Sequence, residues 1–139
     1  MKYFQYTFQF SQIIVALVVV YGVYLLIFPL KPGEIHSNPF PVLTPKVKAG
    51  ESLKIYADFC LNTNATGKIT RILKGDVLIT LPPSESNLKK GCYKLDASIV
   101  MPKGTPPGRY ILENRYEYQV NSLKRLEMAG ETEEFEIIN

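Results

Sequence analysis

The chain has 139 residues, 46% of them hydrophobic and 21% charged, which leaves room for one modest domain. Its formal charge of +3 is too mild to suggest the dense basic patch that nucleic-acid binding leaves in a sequence. The charge is also segregated: none lies between Tyr3 and Leu30, and every acidic residue follows Leu30.

The first element is the run IIVALVVVYGVYLLIFPL, Ile13 to Leu30, whose only polar side chains are those of Tyr21 and Tyr24. As a helix it would extend roughly 27 Å, close to the ~30 Å hydrocarbon core of a bilayer. Tyr3, Phe4, Tyr6, Phe8 and Phe10 just before it suit the membrane–water interface. Pro29 and the Lys31-Pro32-Gly33 sequence end the helix. A cleaved signal peptide fits less well, because its apolar run is usually about 7–15 residues and is followed by an A-x-A-like site. The expectation is a retained single-pass transmembrane anchor over residues 13–30, built on Ile13, Leu17, Tyr21, Leu25 and Phe28. Residues 1–12 then form a short tail. Lys2 stands on one flank and Lys31, Lys46 and Lys48 on the other, so the count of positive charges does not favour an inside amino terminus.

Residues 31–44 hold Pro32, Pro39 and Pro41, with Pro45 following, and read as an extended, semi-rigid stalk. His36, the only histidine, sits there without a second ligand-type residue and is expected to be solvated.

From residue 45 to 139 the chain reads as short strands between turns. A first strand lies around Phe40 to Val47. The second, SLKIYADFCLN, puts Leu53, Ile55, Ala57, Phe59 and Leu61 on one face. KITRILKG and DVLITLP are two shorter strands or one bent one, and PSESNLKKG is a loop. CYKLDASIVMP alternates again, with Tyr93, Leu95, Ala97 and Ile99 in phase and Cys92 on the polar side. RYILENRYEYQVN places Tyr110, Leu112, Tyr116, Tyr118 and Val120 together, and EFEII closes the chain. No helix-period segment occurs outside the anchor. The predicted class is therefore all-β: an immunoglobulin-like sandwich of about seven strands behind a single transmembrane helix.

In that plan the second and fifth strands are antiparallel neighbours. The register that sets Cys60 opposite Cys92 also sets Leu53 opposite Ile99, Ile55 opposite Ala97, Ala57 opposite Leu95 and Phe59 opposite Tyr93. A shift by one residue would send the two apolar sets to opposite faces. Cross-strand neighbours have Cβ atoms about 4.5–5.5 Å apart, near bridging distance, so an outer-face disulfide is expected. It implies an oxidising compartment, and hence a cytoplasmic amino terminus with the domain outside the cytoplasm. Tyr56 shares the outer face with Cys60 and is the candidate binding surface. Tyr110, just after Pro-Pro-Gly, occupies a tyrosine-corner position.

Catalytic chemistry finds little to stand on. The one histidine lies in the stalk, and there is no zinc-type cysteine spacing, phosphate-binding glycine loop or G-x-S-x-G. No enzyme activity, catalytic residue, metal or cofactor is expected. Glu131, Glu133, Glu134 and Glu136 could in principle attract calcium, but a charged, solvated edge strand accounts for them better.

The segments VKAGESLKIYADFC, GCYKLDASIVMP, TPPGRYILENRYEYQVN and TEEFEI together resemble small single-pass proteins encoded in tailed-phage and prophage genomes. The resemblance implies a hydrophobic anchor with an Ig-like outer domain, set in a bacterial inner membrane and facing the periplasm. It brings no catalytic residues. The expected function is a non-catalytic, membrane-anchored extracytoplasmic binding module that holds the bilayer through residues 13–30 and contacts another envelope protein. The alternative is a structural or accessory subunit of a larger membrane assembly, with the anchor around Tyr21, Gly22 and Tyr24 as its interface.

Overall fold

The structure, a computed structural model, describes the backbone of residues 2–27, 31–121 and 124–139 and the side chains of 10–26, 31–119 and 125–139. Phe28 and the other residues of 28–30, and the Val120 side chain, lie outside the described residues. The chain begins with one helix, α1 (Lys2–Ile27), of 26 residues. It starts earlier than the apolar run, so the aromatic segment is helical too. Among the described residues no helix is long and apolar enough to cross a membrane. The side chains of Ile13, Leu17 and Tyr21 are exposed and that of Leu25 is half-buried.

Nine strands follow among the described residues: β1 (Gly33–Ile35), β2 (Lys46–Lys48), β3 (Ser52–Leu61), β4 (Gly67–Lys74), β5 (Leu78–Ser86), β6 (Gly91–Val100), β7 (Gly108–Asn121), β8 (Lys124–Glu131) and β9 (Phe135–Ile138). They make two sheets in a sandwich-like arrangement. One has the order β1-β3-β6; the other runs β2-β9-β7-β4-β5, with β8 also paired to β7. The core between them is built from Leu53, Ile55, Ala57, Phe59 and Leu61 on one side, and Leu73, Tyr110, Leu112 and Tyr118 on the other.

The β3–β6 pair has the expected register, with Leu53 opposite Ile99, Ile55 opposite Ala97, Ala57 opposite Leu95 and Cys60 opposite Cys92. The cysteines form a disulfide. Tyr110 donates its hydroxyl hydrogen to the Pro106 carbonyl at 3.0 Å, tying the start of β7 to the loop before it.

Four expectations need correction. The segment 31–44 is no free spacer. Gly33–Ile35 pairs with Leu61–Phe59 of β3, and a Cβ on Gly33 would lie only 2.1 Å from the Cys60 carbonyl oxygen. Further on, Tyr56 N donates to Pro41 O on one sheet, while Phe40 N donates to Glu131 O on the other. The domain therefore starts near Gly33, and its first strand is not a continuous Phe40–Val47 but separate bridges at Phe40 and Val42 followed by β2. Prolines break that stretch into pieces because each lacks a ladder donor. Second, PSESNLKKG is not all loop, since β5 continues through Pro82 and Pro83 to Ser86. Third, residues 124–131, to which the sequence pattern assigns no strand, form β8, which alternates charged Arg125 and Glu127 with inward Leu126 and Met128. Fourth, the acidic β9 is no edge, because it lies between β2 and β7.

Candidate functional site

The acidic residues near the carboxyl terminus are dispersed among separate partners. Lys74 contacts Glu131 at 2.8 Å, Val42 N donates to Glu133, and Arg109 and Lys46 pair with Glu134 and Glu136. Among the described residues no group of three or more His, Cys, Asp or Glu is placed to hold a metal ion. His36 does not stand alone: its Nε2 lies 3.1 Å from Cys60 Sγ, on the exposed side of the disulfide. Tyr56 is half-buried on the outer face of β3, opposite Asp96.

The outer face of the larger sheet carries a charge network. Glu113 is buried beneath two cations, with Lys74 Nζ 2.6 Å from its Oε2 and Arg115 Nε donating to its Oε1. Hydrogen bonds from Arg115 and then Lys74 hold the Glu113 carboxyl below the usual glutamate range, against the opposing effect of burial. A carboxylate with a lowered folded-state pKa adds stability above its unfolded value and loses it as pH falls through the folded one. Urea midpoints should therefore drop as pH is lowered below roughly 4.3, and Glu113→Gln should flatten that slope. An unchanged slope in Glu113→Gln would mean the network does not govern acid stability.

The arrangement best suited to binding lies where the two sheets open, between the edges of β5 and β6. Arg71 is on β4 in phase with Ile69 and Leu73, so period-2 alternation turns a cation toward the interior. Opposite it, the β4–β5 register shifts: Ile69 pairs with Ser84 but Arg71 pairs with Leu81, leaving Pro82 and Pro83 as a bulge. Arg71 Nη1 reaches across to donate to Ser84 Oγ at 2.9 Å, while its Nε is buried without a hydrogen-bond partner. Burial pushes the guanidinium pKa down. The neighbouring Tyr116 phenol is pushed up to about 12, chiefly by its own burial, and stays neutral.

A cleft of about 420 Å³ opens at this point, lined by Arg71, Leu81, Pro82, Ile99, Val100 and Met101. It lies at the far end of β3 from Gly33: Gly33 meets Leu61 at one end of β3, whereas Val100 is opposite Ser52 at the other end. Arg71 is not among the sequence-predicted site residues. The signal was present, since KITRILK places an arginine in the apolar phase of a strand. No family model matches the chain, and no curated protein matches it either.

Proposed function

We propose that the chain is a non-catalytic binding module, tethered to a membrane by α1 and acting through the sandwich outside the cytoplasm. The observation that carries this reading is the open seam between β5 and β6. There a half-buried arginine faces a cleft with no acidic partner among the described residues, all 13 acidic residues of the chain included. A cation kept partly desolvated without a counter-ion costs stability, which is the mark of a group held for a ligand.

The tether rests on the exposed apolar side chains of α1, such as Phe10, Val18, Val20 and Leu26, which water solvates poorly. In sequence the apolar run continues through Leu30. The extracytoplasmic side rests on the disulfide, which persists in oxidising compartments. With the resemblance to phage-encoded proteins, it favours the periplasmic face of a bacterial inner membrane. We also read the sandwich as Ig-like. Taking β3, β4, β6, β7 and β8–β9 as strands B, C, E, F and G gives the B–E and C–F–G pairings of that plan, and the Tyr110 hydroxyl makes the expected corner bond.

Cross-linking in membranes followed by affinity purification of the full chain tests the module. A specific envelope protein whose capture survives replacement of α1 by an unrelated anchor is the expected result. Capture that depends on the native α1 would favour the alternative, an accessory subunit whose helix interface includes Tyr21 and Gly22. Recovery of no specific protein overturns both.

A further inference from the structure

We propose that the free edge of β6 receives an extended strand from a partner protein, and that this strand carries an inward carboxylate that pairs with Arg71. The inference deepens the binding-module reading and rests on it.

The edges of the two sheets at the seam differ. β5 is blunted by Pro82 and Pro83, which cannot donate to a further strand. β6 runs for 10 residues without proline and without a register break against β3. On its side away from β3 no strand pairs with it among the described residues. A long regular edge of this kind is a template for strand addition, in which main-chain hydrogen bonds supply affinity and alternate side chains supply specificity.

The inner face of β6 is also incompletely covered. On β3, Ile55, Ala57 and Phe59 are buried at 3%, 5% and 8% exposure. Their direct partners Ala97, Leu95 and Tyr93 are only half-buried, although they face the same core. One more strand beside β6 would cover them, so apolar residues are expected at two or more of its inward positions. Near Ile99 the same inward row comes level with the cleft and Arg71. A carboxylate there meets a desolvated guanidinium, a charge-assisted pairing stronger than the present bond to the neutral Ser84 hydroxyl.

Arg71 also selects among occupants. Two copies of β6 could pair antiparallel about Leu95, setting Lys94 opposite Asp96 in both directions. No inward residue of β6 is acidic, however, so a second copy would leave Arg71 without its counter-ion. A different chain with an acidic–apolar extended segment satisfies both requirements.

The test is selection of roughly ten-residue linear peptides from a displayed random library on the full-length chain. Enriched peptides should alternate apolar residues and contain Asp or Glu in the apolar phase. A synthetic peptide of the enriched sequence should slow amide exchange along β6. Arg71→Gln should weaken it roughly tenfold or more, and the peptide's acid-to-amide variant should lose a similar factor, with little further loss when both changes are combined. Arg71→Gln should leave the thermal midpoint unchanged or raise it, since an unpaired charge has been removed. A lowered midpoint would make Arg71 a structural group and overturn the proposal. So would enriched peptides without a carboxylate, protection confined to the Tyr56 face, or concentration-dependent dimers that protect β6 without peptide. A membrane partner captured equally well by wild type and Arg71→Gln would sink this inference while leaving the binding module intact.

Discussion

Replacing Cys60 and Cys92 together by alanine is expected to lower folding stability by roughly 3–4 kcal/mol, read as a fall in the urea midpoint. The bridge joins residues 32 apart in sequence, and loop-closure entropy removed from the unfolded chain gives that magnitude. Against a total of about 5–15 kcal/mol for a domain of this size, the loss is large. Little of it should come from packing, because both sulfurs lie on the outer face rather than in the core. The single variants Cys60→Ala and Cys92→Ala should therefore each reach nearly the full loss, with the double variant adding only about 0.5 kcal/mol. Reduction of the wild type should reproduce the same midpoint. A double variant within about 1 kcal/mol of the oxidised wild type would show that the β3–β6 ladder holds the loop without help.

That ladder was legible in the sequence, for a physical reason. Ser52–Leu61 and Gly91–Val100 both obey strict alternation, each has one face on the core, and a one-residue slip would misplace every apolar side chain. Tyr110 was legible because the Pro-Pro-Gly turn fixes where β7 begins. β8 escaped notice because its inward row includes Gly130, which has no side chain to mark the phase. β5 was cut short in the reading because proline argues against an interior strand, whereas an edge strand tolerates it. β1 and the bridges at Phe40 and Val42 were hidden by prolines that resemble a spacer until their tertiary partners are known.

The candidate site was less legible than the fold. Tyr56 drew attention through its chemistry on an outer face, where it stands half-buried opposite Asp96. Arg71 was passed over because charged residues in strands are normally assumed to point outward. KITRILK hints at its phase, but the pairing of β4 with both β5 and β7 is what brings it to the seam. The openness of that seam is a property of missing neighbours, which no local pattern encodes. Half-burial of Tyr93, Leu95 and Ala97 can be recognised only once the sheet order ends at β6.

Phe40→Ala should destabilise the domain by about 3–5 kcal/mol, as much as the deepest core truncations. Phe40 is 1% exposed, although it sits between prolines in a stretch that reads as a spacer. Its main chain bridges to Thr132, and its amide donates to the Glu131 carbonyl at 2.7 Å. Its ring fills the space that Gly130 leaves open, for a Cβ there would lie 2.7 Å from Phe40 Cε2. Truncation would thus empty a site walled by both sheets, and the backbone bridges on either side would keep it from collapsing. Gly130→Ala should be destabilising for the complementary reason, since the added methyl and the ring compete for one volume. A spacer would respond in the opposite way, with neither change moving the midpoint. Urea unfolding of Phe40→Ala therefore decides whether residues 33–48 belong to the folded unit. A loss under about 1 kcal/mol would return them to the stalk. A loss in the expected range makes Gly33 the start of the folded unit, only a few residues after the end of α1 at Ile27.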